Sequence, residues 1–134
     1  MNNLNNQDGS YVSKIDSRGR MYLPADLRKR LACTEFYINV SSHNYNLKVF
    51  TPDAWDKLVS KISETPIENQ RRLRSVFVHA CLANLQSKGY IKIPEKLREL
   101  QNISGHVALK LTDDGFEIWD EEIYEIIREK QLEE

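Results

Sequence analysis

Short runs in which apolar and polar residues alternate recur along this 134-residue chain, and they predict β-strands. The first half has four such runs, at residues 10–16, 20–23, 36–40 and 47–50. A short helix is predicted after Pro24, because proline suits the first turn of a helix and residues 25–31 contain no further breaker. A longer helix is predicted after Thr51, a capping residue that is followed by apolar residues at helical spacing.

The second half repeats this order of elements. Its strand-like runs lie at residues 80–85, 90–93, 107–111 and 116–119. A helical turn is predicted over residues 94–100 and a closing helix after Asp120, while the Asp114-Gly115 step favours a tight hairpin between the last two strands. Between the halves, residues 67–78 are predicted to form a linking helix.

One stretch occurs twice in recognisable form: a glycine turn, a short strand, a proline and a basic helical turn. It begins at Asp16 in the first half and at Gln86 in the second. Four pairs of residues match at a spacing of 70 positions (89 − 19), namely Gly19 with Gly89, Pro24 with Pro94, Leu27 with Leu97, and Arg28 with Arg98. Such a repeat indicates that the chain consists of two copies of one structural module.

We therefore predict an α+β protein built from two tandem ββαββα modules. Four short strands cannot bury both faces alone, so the modules are expected to interlock into one pseudo-twofold β-core with outer helices and with the two glycine turns near each other. The predicted division is a disordered tail at 1–9, a first module at 10–64, the linking helix and its flanks at 65–78, and a second module at 79–134.

Charge is unevenly distributed along the chain, although the net charge is only −1. Residues 1–31 carry six Lys or Arg against three Asp or Glu, and residues 65–100 carry seven against three. From Leu111 to the C-terminus the count is two against ten. Both positive stretches contain a glycine turn, so we expect a basic face that suits a polyanion, and an acidic closing helix.

Other classes of function are disfavoured by the sequence. No apolar run approaches the roughly eighteen residues of a transmembrane helix, and the polar N-terminus lacks the order of a signal peptide, so a cytoplasmic protein is expected. There is no metal-ligand motif, no GxSxG and no P-loop. The sequence therefore predicts no enzyme activity, no catalytic or metal site, no cofactor and no small-molecule substrate.

The repeated motifs resemble those of a known family. The turn from Asp16 to Arg20, the following Leu23-Pro-Ala-Asp-Leu-Arg28 and the segment Phe116-Glu-Ile-Trp-Asp120 are similar to the MraZ family of bacterial transcriptional regulators, within the broader AbrB/SpoVT superfamily. The likeness extends over residues 10–130, nearly the whole chain. It implies that the two modules form a swapped-hairpin β-barrel.

The same resemblance implies a function. It implies a sequence-specific regulator that binds double-stranded DNA at short direct repeats in a promoter and assembles with itself into a ring-like oligomer. The expected place of action is the cytoplasm, in association with the nucleoid, and the expected role is repression of the division and cell-wall gene cluster. The direction of regulation, the operator and the subunit number are left open by the sequence itself.

The residues expected to contact DNA lie in or near the two glycine turns. They are Lys14, Arg18, Arg20, Arg28 and Lys29 in the first half and Lys88 in the second, with Arg30, Lys92, Lys96 and Arg98 as weaker candidates. Asp16, Gly19 and Gly89 are expected to organise the turns. Arg20 is the strongest candidate, because its place in the turn is specific and a planar guanidinium suits phosphate and guanine.

The second turn departs from the family pattern, in which both turns carry Asp-x-x-x-Arg. Gln86 and Tyr90 stand where the first turn has Asp16 and Arg20. We therefore expect the first half to dominate DNA binding, with Tyr90 available to stack or to form a hydrogen bond. The alternative is a non-enzymatic interaction module of the same fold that has weakened or lost DNA binding and contacts a protein through its acidic C-terminal helix.

Two further groups of residues are given a structural interpretation. Three arginines of the linking helix are expected to form ion pairs with the acidic C-terminal helix: Arg71, Arg72 and Arg74. Four aromatic residues on apolar faces are expected to pack in the protein rather than stack on bases: Trp55, Phe77, Trp119 and Tyr124.

Overall fold

The structure is a computed structural model that describes residues 9–41, 45–75 and 77–133, and side chains as far as residue 130. The predicted N-terminal tail, apart from Gly9, therefore lies outside the described residues. The same holds for Val76 in the predicted linking helix.

Strands and helices follow one another along the described chain in the predicted order. The first half comprises β1 (Ser10–Ile15), β2 (Arg20–Tyr22), α1 (Ala25–Leu31), β3 (Glu35–Val40), β4 (Asn46–Phe50) and α2 (Pro52–Ser63). The linking helix is α3 (Ile67–Ser75). The second half comprises β5 (Cys81–Asn84), β6 (Tyr90–Lys92), α4 (Glu95–Leu100), β7 (Gly105–Thr112), β8 (Gly115–Asp120) and α5 (Glu121–Glu133). The α+β prediction is confirmed.

The linking helix is shorter than predicted. It ends at Ser75, and the amides of Phe77 and Ala80 each donate to a carbonyl oxygen three residues back, at 3.0 Å, as in turns. The Phe77 ring packs edge-on against Trp55 of α2, with 5.3 Å between the ring centroids. The prediction of a helix as far as residue 78 is wrong. Phe77 lies in a turn, and from this turn its side chain packs onto α2.

The arginines of α3 do not form the ion pairs that the sequence suggested. α3 packs against α2, whereas α5 packs against β7 and β8. Arg71, Arg72 and Arg74 are exposed, and Arg74 donates to the side chain of Gln70 at 3.4 Å. Among the side chains that the structure describes, none of these arginines forms a salt bridge with α5. The two helices are attached to different parts of the fold, which explains the absence of these contacts.

The eight strands in the described part of the chain belong to one antiparallel sheet in the order β5-β3-β4-β8-β7-β1-β2-β6. A bridge between Gln86 and Tyr90 connects the segments that carry the two end strands, so the sheet curls into a nearly closed barrel. β1 pairs with β7 of the second half, and β5 pairs with β3 of the first half. Each half therefore contributes a strand to the other, which confirms the predicted swapped-hairpin architecture.

The pseudo-twofold axis passes through two strand pairs that join equivalent segments of the repeat. In the β2–β6 pair Met21 lies opposite Ile91, and in the β4–β8 pair Lys48 lies opposite Glu117. Met21 and Ile91 are fully buried, whereas Lys48 is exposed and Glu117 is partly exposed. Alternation along each short strand thus sends apolar residues into the barrel and polar residues outward.

The core fills the barrel and extends beneath the short helices. α1 and α4 each bury one leucine on it, Leu27 and Leu97, at equivalent positions of the repeat. The buried glutamine Gln101, at the end of α4, donates through Nε2 to the carbonyl oxygen of Asn46 at 2.5 Å. This bond ties the second half to β4 of the first, in the interior where an unpaired polar group would be costly.

The two longer helices are attached by aromatic residues. Trp55 of α2 stacks on Tyr37 with 4.8 Å between the ring centroids, and Trp119 meets Tyr124 of α5 at 5.9 Å. The amide of Ile123 donates to Oδ1 of Asp120 at 3.1 Å, so this carboxylate caps the closing helix. The interpretation of these aromatic residues as packing groups is confirmed. No helix in the described ranges is both long and apolar enough to cross a membrane.

Replacing Ile91 by alanine is expected to lower the free energy of unfolding by about 2–5 kcal/mol, because a fully buried side chain leaves a cavity when it is truncated. The control is Val12→Ala, at an outward position that is 41 % exposed, where a loss below about 1 kcal/mol is expected. Urea denaturation followed by tryptophan fluorescence measures both. Equal losses would contradict the burial of Ile91 in the core.

Candidate nucleic-acid interface

The carboxylate of Asp16 holds the first glycine turn together. Its Oδ1 accepts hydrogen bonds from the backbone amides of Arg18 and Arg20, both at 2.9 Å. Its Oδ2 accepts from Nε of Arg20, also at 2.9 Å. The amide of Gly19 donates to the carbonyl oxygen of Asp16 at 2.9 Å. One side chain therefore shapes the turn and orients the arginine.

These donors favour the ionised form of Asp16. Its pKa is lowered from the ordinary value of 3.8, chiefly by the backbone amide of Arg20, and further by the Arg20 side chain and the amide of Arg18. Partial withdrawal from water acts in the opposite direction and is outweighed. Asp16 therefore carries its negative charge throughout the neutral range, and the Arg20 guanidinium is held beside it.

Each glycine turn is completed by the opposite half of the chain. The carbonyl oxygen of Gly19 accepts from the amide of Ile93 at 2.7 Å, and that of Gly89 accepts from the amide of Leu23 at 2.8 Å. Both glycines are buried and have positive φ angles of +83° and +88°, a conformation that glycine adopts without steric cost. These two residues carry the hydrogen bonds that join the halves here.

The second turn has the same backbone bonds without a carboxylate. The amide of Gln86 donates to the carbonyl oxygen of Tyr90 at 2.6 Å, and the amide of Gly89 donates to that of Gln86 at 3.2 Å. The Gln86 side chain does not cap the turn. Lys88 is exposed, with a positive φ of +66°. The backbone alone therefore sets the shape of this turn.

Arg28 and Arg98, an equivalent pair of the repeat, pack against the glycine of the opposite turn. In each, Nε donates to the carbonyl oxygen of the residue five positions earlier, at 2.9 and 3.0 Å. A methyl group built on Gly89 would lie 3.0 Å from Cζ of Arg28, and one built on Gly19 would lie 2.9 Å from Nη2 of Arg98. Both arginines are half-buried, so they support the turns from the other half of the chain.

Two arginines and two tyrosines form a continuous row on the outer face of the β2–β6 pair, in the order Arg20, Tyr90, Tyr22 and Arg28. Cζ of Arg20 lies 5.5 Å from the centroid of the Tyr90 ring, and the two tyrosine rings meet edge-on at 5.6 Å. Cζ of Arg28 lies 5.5 Å from the centroid of Tyr22, and its Nη2 donates to the Tyr22 hydroxyl at 3.1 Å. This Arg–Tyr row connects the first turn to the second.

Arg20 has more unused hydrogen-bond donors than Arg28, the other arginine of the row. Its Nε is bonded to Asp16, but neither of its terminal nitrogens donates to a residue in the described part of the chain. Its side chain is 45 % exposed. Arg28, in contrast, uses both Nε and Nη2 within the protein. The arrangement thus presents one oriented, solvent-facing guanidinium.

The other predicted contact residues lie in the two turns, on β1 and on α1. All are exposed: Lys14, Arg18, Lys29 and Lys88. Arg18 belongs to the first turn, and Lys14 lies on β1 opposite His106 of β7. Lys29 follows Arg28 on α1 but makes no described contact with the row. Lys92, one of the weaker candidates, lies directly opposite Arg20 across the β2–β6 pair.

The two glycine turns flank the β2–β6 pair. β2 and β6 run antiparallel with Tyr22 opposite Tyr90, so the turns lie at opposite ends of this three-residue pair. This pairing brings Tyr22 into the site, a residue that the sequence analysis missed. A signal was available, because equivalent strands that pair about a twofold axis place their alternate residues on one shared face.

Comparison with known proteins finds likeness over most of the chain. The family described as "MraZ protein, putative antitoxin-like" matches residues 8–74. The transcriptional regulator MraZ of Roseiflexus castenholzii is 32 % identical over 114 residues, which are 83 % of this chain and 78 % of the relative. The MraZ regulators of Saccharophagus degradans and Oenococcus oeni are 30 % and 28 % identical, over 87 % of this chain and 83 % and 82 % of their own lengths.

Titration of the Asp16 carboxyl group by NMR should give a pKa below 3.8 in the wild-type protein. In Arg20→Ala the pKa should rise only part of the way back, because the backbone amides, including the largest contributor, still donate. Since folding lowers this pKa, the carboxylate stabilises the turn above its unfolded pKa, and this contribution is lost as the pH falls through the lowered value.

Arg72→Ala, on the distant helix α3, serves as the control and should leave the pKa of Asp16 unchanged. A wild-type value at or above 3.8 would contradict the geometry of the first turn. So would a complete return to 3.8 in Arg20→Ala.

Gly89→Ala should destabilise the protein more than Gly105→Ala. Both glycines have positive φ, +88° and +68°, so each substitution carries a backbone cost of about 1–2 kcal/mol. At Gly89 the added methyl group would also lie 3.0 Å from Arg28 and Tyr22, whereas nothing lies within 4 Å at Gly105. Crowding should add about 1–3 kcal/mol to the loss. Equal losses of the free energy of unfolding in urea denaturation would mean that the Arg28 side chain moves aside at no energetic cost.

Proposed function

The chain belongs to the MraZ family, and from this premise we propose that it is a sequence-specific DNA-binding transcriptional regulator, not an enzyme. The observation that carries the proposal is the first turn. Asp16 fixes Nε of Arg20 at 2.9 Å, while the Arg20 side chain stays 45 % exposed and neither terminal nitrogen donates to a residue in the described part of the chain. The relatives named transcriptional regulator MraZ support the same reading.

An oriented guanidinium suits both parts of a DNA surface. It can donate two parallel hydrogen bonds to O6 and N7 of a guanine in the major groove, or to two oxygens of a phosphate. Because Asp16 already holds one edge of Arg20, less side-chain freedom is lost when the other edge binds. Arg20 is proposed as the base or phosphate contact of the first half.

The exposed lysines and Arg18 would supply attraction to the phosphate backbone. Arg18, Lys88 and Lys92 lie in the two turns and on the β2–β6 pair, and Lys14 lies on the adjacent strand β1. Phosphate contacts of this kind fix position and raise affinity without reading sequence. We propose a smaller contribution from Arg28, since its guanidinium is occupied by Tyr22 and by the backbone.

We further propose that the protein acts in the cytoplasm on nucleoid DNA, at short direct repeats in a promoter, as a ring-like homo-oligomer. Repression of the division and cell-wall gene cluster would follow if these repeats overlap the promoter. The support is the resemblance to the family and the physical advantage of several weak, salt-sensitive turns that bind neighbouring repeats at high effective concentration.

A second candidate is a protein-interaction module of the same fold. It is favoured by the second turn, where Gln86 and Tyr90 leave no acid–arginine pair, and by Ile126, which is 53 % exposed on the acidic helix α5. The intact first turn favours DNA binding instead.

The test is titration of fluorescent duplex DNA from the region upstream of the protein's own operon, with a random duplex of equal length as reference. Wild-type affinity should fall steeply as salt is raised. Arg20→Ala should weaken specific binding by about 5- to 150-fold, which corresponds to about 1–3 kcal/mol for a bidentate base contact.

Arg72→Ala removes the same charge from an exposed site on α3 and should bind almost as the wild type does. Binding no stronger than to random DNA, and indifferent to Arg20→Ala, would reject the regulator proposal in favour of the interaction module.

A further inference from the structure

We propose that Tyr90 is a positioning residue: its ring holds the Arg20 guanidinium in the orientation that reads DNA, so that the second half of the chain supports the first half's contact. This inference rests on the proposed DNA-binding function. It assigns a role to the tyrosine that stands where the family pattern has a second arginine.

The guanidinium of Arg20 is confined on two sides. On one side Nε donates to Oδ2 of Asp16 at 2.9 Å. On another the Tyr90 ring centroid lies 5.5 Å from Cζ, within the range of a cation–π contact. A hydrogen bond through Nε alone would leave the plane of the group free to swing. The ring restricts that motion, while the Arg20 side chain remains 45 % exposed.

The Tyr90 ring is itself held in place. It is half-buried, and it meets the ring of Tyr22 edge-on at 5.6 Å. The Tyr22 hydroxyl accepts from Nη2 of Arg28 at 3.1 Å, and Nε of Arg28 donates to the carbonyl oxygen of Leu23 at 2.9 Å. The row is therefore held at one end by the carboxylate of Asp16 and at the other by the carbonyl oxygen of Leu23. Within it, Tyr90 is a fixed support for Arg20.

The chemistry of the second turn explains why a tyrosine suits this position. Gln86 offers no negative charge to hold an arginine at position 90. An arginine there would lie unpaired beside Arg20 and Lys92, where like charges repel. A neutral ring adds attraction to Arg20 without adding charge. Each chain would then read DNA with one oriented guanidinium, and the two turns would have different tasks.

The experiment compares Tyr90→Phe with Tyr90→Leu, each with Arg20 and with Arg20→Ala, in titrations against the upstream duplex and the random duplex. Phenylalanine keeps the π face and loses the hydroxyl, whereas leucine keeps apolar bulk and loses the π face. Tyr90→Leu should weaken specific binding by about two- to fivefold for each bound turn, and Tyr90→Phe by much less. Binding to the random duplex should be unchanged in both.

The Arg20→Ala background distinguishes positioning from direct contact. If Tyr90 acts through Arg20, Tyr90→Leu causes no further loss once Arg20 is alanine. An equal loss in both backgrounds would mean that Tyr90 touches DNA itself, and a loss in Tyr90→Phe as large as in Tyr90→Leu would assign the effect to the hydroxyl. Either result overturns the proposal, as does wild-type binding by Tyr90→Leu.

A measurement without DNA separates this proposal from the one on which it rests. The Arg20 side-chain protons should show ring-current shifts in NMR spectra of the wild type and Tyr90→Phe, and these shifts should vanish in Tyr90→Leu. Their absence in the wild type would reject the positioning role even if DNA binds. Their presence in a protein that does not bind the upstream duplex would confirm the contact and reject the DNA-binding function.

Discussion

Two hydrogen bonds, one for each glycine turn, close the turns from the opposite half, and they are the constraint on which the rest of the structure depends. The amide of Ile93 bonds to Gly19, and that of Leu23 bonds to Gly89. Each half donates one of these bonds to the turn of the other half. Neither turn therefore keeps its shape unless the two halves are folded against each other. A buried backbone group that loses its partner costs about 1–3 kcal/mol. Stability and the candidate interface are therefore coupled at the β2–β6 pair.

This constraint also explains how the two turns can share a backbone and differ in side chains. In the second turn the bonds from Gln86 to Tyr90 and from Gly89 to Gln86 are formed by main-chain atoms. Its shape therefore does not require a carboxylate, and position 86 is free to lose the aspartate. In the first turn the carboxylate of Asp16 is added to the same frame, where it orients Arg20. Fold and recognition thus depend on different atoms.

The repeat made the fold predictable, while the site was predictable only in part. Two glycine turns at one spacing imply equivalent halves, and short strands that cannot bury both faces imply that the halves interlock. The role of Asp16 followed from its place in the turn. The packing of Arg28 on Gly89 and the entry of Tyr22 into the site did not, because both depend on the register between β2 and β6, whose pairing partners are about seventy positions apart.

A single oriented guanidinium in each chain has consequences for the proposed regulator. One bidentate contact discriminates between bases by about 1–3 kcal/mol, far less than the selection of one promoter from a genome requires. Several copies bound to neighbouring boxes would supply the remainder through effective concentration. A pseudo-twofold DNA-binding protein with two equal turns would match a DNA site with twofold symmetry, as symmetric dimers do. With Arg20 in one turn and Tyr90 in the other, the proposed regulator would instead have a direction along the duplex, which would suit boxes repeated head to tail.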